Sequence, residues 1–347
     1  MPNISSPRYR RVFIQQQSGG LRTINNSSGT WSNTGAKLLR IPENGITITP
    51  RLPKTPVPWL TGTRSRQPDI LGRRSAEWSI NNLMMIPSGT AGTAPDTDAL
   101  WQNVFGQAAT VSAGVSVTYS FLDSGYLPFA LFDFMHNNPG TLTQRVIWGC
   151  MATELNFTLN GNIFDATVRG EAGYSLESDN FSNEDSVGKA GLTSFPAEPV
   201  SPTSLGNVIP GFGGTAVIGG NAMATQIQGM SIRVQTAFRL VGDLFSDAYP
   251  AQAVGGLRTV GLQLTFLDDD SSALATLKQN AKLNTPTDVT ITVGTVSGLK
   301  CQFVMKQLQF VPQTFRDQSD EIQAEFPDSM AHASAVGNVD EFSMIWL

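Results

Sequence analysis

Short stretches in which apolar and polar residues alternate dominate this sequence, and they predict β-strands rather than long helices. Between them lie loops rich in glycine and proline, of which the chain has 33 and 20. Such residues favour turns between short strands. The sequence therefore predicts a mainly β fold. The alternating segments are residues 45–49, 73–86, 115–121, 145–159, 164–174, 229–234, 256–267, 288–294, 301–311 and 321–327.

One pair of these segments carries a strong hairpin signal. Residues 145–159 and 164–174 flank a short turn that contains Asn160 and Gly161. An Asn-Gly turn between two alternating runs is typical of a β-hairpin. We therefore expect these two strands to pair with each other.

Two short helices interrupt the strands. The first is predicted between Asp96 and Gly106, which suit the start and the end of a helix. The second follows Asp268, Asp269, Asp270 and Ser271 and covers residues 272–282. The three aspartates have neither the spacing nor the closing glutamate of a calcium loop. Favourable charge at a helix start is therefore the simpler interpretation.

The order strand, strand, helix, strand occurs twice along the chain. Gly45-Ile46-Thr47-Ile48 lies 184 residues before Gly229-Met230-Ser231-Ile232, and Gly72 lies 184 residues before Gly256. Leu155-Asn156-Phe157 matches Leu308-Gln309-Phe310 at a spacing of only 153 residues. The first half should therefore hold about 31 additional residues, which we place at 121–147.

This repetition predicts two tandem β domains, each a sandwich or small barrel with one short helix. The first domain covers residues 37–177 and contains the inserted segment 121–147. Residues 178–206 lose the alternation and gain proline, serine and acidic residues, which indicates a linker. The second domain covers residues 207–347.

Charge is distributed unevenly along the chain. Residues 1–74 contain 12 Lys and Arg but only 2 Asp and Glu, whereas the rest contains 11 and 26. Residues 1–36 are also mostly polar, and we interpret them as an extended N-terminal arm. Charged residues make up only 15% of the whole chain, below the roughly 25% of typical soluble domains. Such a surface suggests that partners cover part of it.

The arm offers Arg8, Arg10, Arg11 and Arg22 as candidate contact residues. Arginine pairs bidentately with carboxylates, so we expect the arm to bind the acidic body of a neighbouring copy and to link stacked assemblies. Two alternatives remain open at this point. A basic arm also suits nucleic acid, and a polar tail can remain disordered.

The inserted segment 121–147 is rich in aromatic residues, more than an exposed loop should carry. We expect this hairpin to pack against another subunit rather than to face solvent. The aromatic residues concerned are Phe121, Tyr126, Phe129, Phe132 and Phe134.

Catalytic and cofactor-binding motifs are absent from the sequence, so we expect neither enzymatic activity nor a cofactor or metal. Cys150 and Cys301 lie in apolar strand-like runs without a metal-binding spacing, which predicts two buried free thiols. No run approaches the roughly 20 apolar residues of a membrane helix. The N-terminus also lacks the apolar region of a secretion signal. We therefore expect neither secretion nor membrane insertion.

Two parts of the sequence resemble the tail tube proteins of long-tailed bacteriophages. The run Ser88–Leu100 follows the strand around Trp78 and leads through a small-residue loop and a Pro-Asp turn into a short helix. Residues 229–346 follow the same family pattern of strand, acidic turn, short helix, long strand and closing strand. The resemblance covers roughly residues 40–347.

This resemblance implies a structural subunit of the virion tail that is made in the host cytoplasm. Its copies would form rings, three chains each if the duplication is real, and the rings would stack into a conduit. DNA would pass through without specific binding, and the tape measure and tail terminator proteins would be partners. The alternatives are a related tail terminator or distal tail protein, or a monomeric β-sandwich module that binds carbohydrate.

Overall fold

The computed structural model describes most of the chain. The described residues are 5–22, 26–27, 30–32, 34–56, 69–123, 125–137, 142–161, 164–178, 195, 197–200, 206–223, 227–242, 249–269, 271–318 and 321–347.

The described residues form a mainly β protein with short helices, which confirms the prediction of a mainly β fold. The helices are α1 (Asp98–Phe105) and α2 (Ser272–Lys282). The strands up to residue 177 are β1 (Ser5–Gln16), β2 (Asn26–Ser27), β3 (Thr30–Trp31), β4 (Lys37–Leu39), β5 (Ile46–Arg51), β6 (Lys54–Thr55), β7 (Ile70–Leu71), β8 (Ser75–Met84), β9 (Thr110–Ser112), β10 (Ser116–Ser120), β11 (Phe129–Asn137), β12 (Leu142–Leu159) and β13 (Phe164–Glu177). The later strands are β14 (Gly214–Ile218), β15 (Asn221–Ala222), β16 (Ile227–Gln235), β17 (Arg239–Val241), β18 (Gln252–Val254), β19 (Thr259–Leu267), β20 (Thr287–Val293), β21 (Cys301–Leu308), β22 (Thr314–Gln318), β23 (Glu321–Met330) and β24 (Phe342–Trp346).

Two antiparallel sheets organise these strands. The large sheet contains eight strands in the order β5-β8-β13-β12-β16-β19-β23-β22. At the first half of β12 the same sheet branches into β11, β1 and β4. The second sheet has the order β15-β14-β20-β21-β24-β10-β9. Short two-stranded hairpins, β6 with β7 and β17 with β18, lie outside both sheets.

One hydrophobic core joins the two halves of the chain. Trp101 on α1 packs against Phe157 of β12, with ring centroids 5.7 Å apart, and Phe157 contacts Phe303 of β21 at 4.8 Å. The two halves therefore share a core instead of packing as separate units. The boundaries at 37–177 and 207–347 stay predictions, and most of the predicted linker 178–206 lies outside the described residues.

The large sheet repeats one arrangement of four strands. The first unit has the order β5-β8-β13-β12, and the second has β16-β19-β23-β22. Within them, Ile46 lies opposite Ile80, and Met230 lies opposite Leu264. Both residues of the second pair stand 184 positions after those of the first. The spacing found in the sequence therefore also describes the register of strand pairing.

The connections inside the two units repeat as well. Residues 52–74 join β5 to β8 and residues 236–258 join β16 to β19, so both connections have the same length. Each contains a two-stranded hairpin in equivalent register, because Thr55 lies opposite Ile70 and Arg239 lies opposite Val254. We call these the first hairpin, β6 with β7, and the second hairpin, β17 with β18.

One sequence match is wrong. Leu155-Asn156-Phe157 belongs to β12 of the large sheet, whereas Leu308 ends β21 of the second sheet. By strand order, the counterpart of β12 is β22. The match failed because an apolar-polar-apolar triplet fits any strand with one buried face.

The prediction of an N-terminal arm over residues 1–36 is wrong for the residues that form β1. This strand lies between β11 and β4, with Phe13 opposite Phe132 on one side and Leu38 on the other. Val12, Phe13 and Ile14 are fully buried. The average polarity of the segment concealed this short apolar run, which is covered on both faces of the sheet.

The prediction that the aromatic hairpin packs on another subunit is also wrong for its buried rings. β11 pairs with β12, and Phe121, Phe129, Phe132 and Phe134 are at most 2% exposed within this single chain. Only Tyr126 is partly exposed. The sequence indicates that such rings must be buried, but it does not show whether the residues that bury them belong to the same chain.

The remaining local predictions agree well with the structure. The hairpin of β12 and β13 is present, with Gly161 at a φ of +83° in its turn. Gly106 ends α1 in the left-handed conformation, and the Ser271 side chain accepts a hydrogen bond from Leu274 N at the start of α2. α1 begins after Thr97, one residue later than predicted from Asp96.

Gly170 provides a test of the packing between β8, β13 and β12. A Cβ atom there would lie 2.1 Å from Met151 O and 2.4 Å from Trp78 Cζ2. We expect Gly170→Ala to lower the free energy of unfolding by about 3 kcal/mol, because both atoms lie in a packed sheet. Gly173→Ala is the control, since its nearest atom would be 3.9 Å away. Urea denaturation of both variants measures the difference, and equal stability would contradict the described packing.

Candidate functional site

The terminal strands of the repeated units form the first candidate site. Among the described residues, β5 pairs with β8 alone and β22 pairs with β23 alone. Each therefore leaves one edge of the eight-stranded run without a strand partner. Open edges of this kind are templates for pairing with another chain.

The junction between the two units shows how such edges join. β12 pairs antiparallel with β16, with Asn156 opposite Arg233 and Phe157 opposite Ile232. Arg233 Nε lies 2.9 Å from Glu154 Oε1, and Ser231 Oγ donates to Asn156 Oδ1 at 2.8 Å. Backbone pairing, an ion pair and an apolar core therefore hold the two units together.

The free edge of the second unit lacks this cover. In β22 and β23, Phe315 and Ile322 occupy the positions that Phe157 and Phe164 occupy in β12 and β13, as the strand registers give. Phe157 and Phe164 are fully buried, whereas Phe315 is 55% and Ile322 is 53% exposed. The same two positions of the repeat are therefore apolar in both units, but they are buried only in the first unit.

Two arginine side chains donate hydrogen bonds to the free edge of β5. Asn81 N donates to Gly45 O, so the backbone groups of Ile46 and Ile48 point away from β8. Arg10 Nη1 donates to Ile46 O at 3.3 Å, and Arg145 Nη1 donates to Ile48 O at 3.1 Å. These contacts satisfy part of the edge in the single chain.

The outer face of the eight strands is polar. The strands contain no lysine, and most of their outward positions hold threonine, serine, asparagine, glutamine or glutamate. Arg316 Nε pairs with Glu325 at 2.6 Å, and Arg51 pairs with Glu77. Partial burial raises the pKa of the Asp165 carboxyl on this face. The face therefore offers few cations that are not already paired with carboxylates.

The four arginines proposed for the arm lie in different places. Arg10 binds Asp133 bidentately, with two distances of 2.7 Å, and Arg11 Nη1 lies 2.9 Å from Glu198 of the predicted linker. Arg22 Nε lies 3.5 Å from Pro250 O. Arg8 belongs to β1, but its side chain is outside the described residues. The carboxylates bound by Arg10 and Arg11 thus belong to the same chain.

The predicted thiols are confirmed, because Cys150 and Cys301 are free and fully buried. Burial raises the pKa of both thiols well above the usual range. Among the described residues, no group of three or more His, Cys, Asp and Glu could hold a metal ion. Asp268 instead pairs with Lys278 of α2. No helix in the described part of the chain is long and apolar enough to cross a membrane.

Sequence reasoning missed the two edge strands as a site. The repeat in the sequence already indicated these edges. Two copies of a unit that meet at one internal junction leave one free edge at each end. Comparison with known proteins found no protein family whose model matches this chain and no characterised protein with a matching sequence.

Proposed function

We propose that this chain is a ring-forming structural subunit of a bacteriophage tail tube. One observation carries the proposal: Phe315 and Ile322 are more than half exposed at the free edge, while their counterparts in the first unit are fully buried. Phe157 lies on the junction strand β12, and both counterparts, Phe157 and Phe164, pack against Phe303 of the second sheet. The free edges of β22 and β5 are the two ends of the eight-stranded run. Their union between copies would repeat the junction already present inside each chain.

The internal junction specifies the register of that contact. Transferring the pairing of β12 with β16 to the chain ends places Phe315 opposite Ile48 of the next copy, and Thr314 opposite Thr49. The outward backbone groups of Phe315 then meet those of Ile48. Ile46 O and Ile48 O can each accept a hydrogen bond from this ladder in addition to the one from arginine, because a carbonyl oxygen has two lone pairs.

Such a contact joins different surfaces of neighbouring copies, and repeated head-to-tail contacts generate a ring when the rotation closes. Three chains would contribute 24 strands of the large sheet. Strands about 4.8 Å apart give a barrel roughly 37 Å across before tilt is included. Barrels of about 16 strands already enclose an open channel. A three-chain ring would therefore have a lumen.

The polar face would line this lumen. DNA binds proteins chiefly through cations that neutralise its phosphates. The eight strands have no lysine, and arginines such as Arg51, Arg233 and Arg316 are paired with carboxylates. DNA could therefore move past the face without being held. The resemblance to tail tube proteins adds the tape measure and terminator proteins as partners and the virion tail as the location.

Microscopy and mass measurement of the purified protein test the proposal. We expect stacked rings or tubes in negative stain, and a mass of three 37.3 kDa chains for an isolated ring. A protein that stays monomeric at high concentration would contradict the proposal and favour a binding module instead. Rings of six chains would contradict the proposal that the two units of each chain occupy equivalent positions in the ring.

A further inference from the structure

A proline limits the free edge of β5. Ile46 and Ile48 point their backbone groups to this edge, and the next residue of the strand that does so is Pro50. Proline has no backbone N–H, so Pro50 cannot donate to a neighbouring strand. At the other end of the strand, Gly45 N donates to Pro42 O in a turn. β5 therefore presents two residues at its free edge that can both donate and accept.

The internal junction has no such interruption. Thr236 N donates to Thr153 O, so Leu155 and Val234 exchange the next pair of backbone hydrogen bonds. Both of these side chains are fully buried. Val234 stands 184 positions after Pro50 and is its counterpart in the second unit. The free end of the repeat thus carries an exposed proline where the junction carries a buried, hydrogen-bonding valine.

The strand that would meet Pro50 differs at the same place. By the register of β22 with β23, Gln313 takes the place of Leu155 and would face Pro50 of the next copy. The internal pair exchanges two backbone hydrogen bonds, whereas Gln313 and Pro50 can form at most one, from Gln313 N to Pro50 O. The ladder between copies is therefore shorter than the junction that it otherwise repeats.

We infer that Pro50 is a specificity-determining residue of the contact between copies. It ends the ladder after two complete pairs, Ile48 with Phe315 and Ile46 with Asp317. If β22 were displaced by two residues toward the end of β5, Phe315 would face Pro50 and its carbonyl oxygen would lose its donor. The register with Phe315 opposite Ile48 is therefore favoured over the displaced one.

This inference rests on the proposed function, because Pro50 acts only if β22 of another copy pairs with β5. It adds a reason why the copies join in one register. It also makes the contact between copies weaker than the junction inside each chain. Proline is a common device for restricting the pairing of edge strands.

Disulfide trapping in the full-length protein tests the register. Arg51→Cys with Thr314→Cys reports the displaced register, in which these residues would face each other as a pair without mutual backbone hydrogen bonds. With Pro50 present, this pair should not oxidise. When Pro50→Val is added, part of the protein should form disulfide-linked oligomers on a non-reducing gel. The native thiols do not compete in the folded protein, because both are fully buried. Equal oxidation with and without Pro50→Val would overturn the inference.

Pro50→Val alone tests the strength of the contact. It restores the residue type of Val234 and one backbone donor, so the concentration needed for assembly should fall roughly two- to tenfold. Pro312→Val is the matched control. Its new N–H would face β23 of its own chain, because odd-numbered residues such as Phe315 face the free edge. It should therefore assemble as the unmodified protein does.

The outcomes separate this inference from the proposed function. If rings form but a folded Pro50→Val variant needs the same or a higher concentration, the inference alone fails. Equal gains from Pro50→Val and Pro312→Val would also contradict it. If the unmodified protein forms no rings, both the inference and the proposed function fail.

Discussion

Phe315→Asp is expected to abolish ring formation while leaving the single chain folded. Phe315 is 55% exposed in β22, so an aspartate there remains hydrated before assembly. At the proposed contact the carboxylate would lie against Ile48 of the next copy, where burial of a charge is costly. Lys278, which lies over the Phe315 ring, already pairs with Asp268. We expect the concentration needed for assembly to rise by more than about 100-fold. Analytical ultracentrifugation measures this change.

The control for this prediction is Val336→Asp, which adds the same charge at a fully exposed apolar position in the turn between β23 and β24. It should assemble as the unmodified protein does. Circular dichroism should report folded protein for both variants. If Phe315→Asp formed rings of normal size, β22 would not be part of the interface.

Arg10→Met is expected to cost about 3–5 kcal/mol in the free energy of unfolding, the second large effect. Asp133 is completely buried, and Arg10 binds both of its carboxylate oxygens at 2.7 Å. Removing the guanidinium leaves a buried carboxylate without its ion-pair partner. Chemical denaturation of the variant measures the loss.

The double variant Arg10→Met with Asp133→Leu is the matched test of this reasoning. It removes both charges, so much of the lost stability should return. Equal destabilisation of the single and double variants would show that the loss comes from the guanidinium bond to Ile46 O rather than from the unpaired Asp133 charge. A stable Arg10→Met variant would contradict the placement of β1 inside the sheet.

Local features of the fold could be predicted because they depend on neighbouring residues. The turn at Gly161, the Gly106 helix end and the Ser271 cap each follow from short patterns. The spacing of 184 residues was also informative, because it relates β5 to β16, β8 to β19 and the first hairpin to the second hairpin. Conserved spacing across three elements is more specific than any single match.

Long-range partners could not be predicted in the same way. Val12, Phe13 and Ile14 form an apolar run in a polar segment, and only the positions of β11 and β4 show that both faces are covered. Phe132 and Phe134 needed burial, but their cover is β1, more than 100 residues earlier. The candidate edges likewise depend on strand order, which no local pattern contains.

The most direct test of the central claim is a disulfide across the proposed junction of β22 and β5. Opposite residues that do not exchange backbone hydrogen bonds approach most closely in antiparallel sheets, and the transferred register places Thr314 opposite Thr49 of the next copy. Thr49→Cys with Thr314→Cys should therefore oxidise to covalently closed rings. Thr47→Cys with Thr314→Cys, displaced by two residues, should not. Tubes that form while neither pair oxidises, or while both oxidise equally, would contradict the junction.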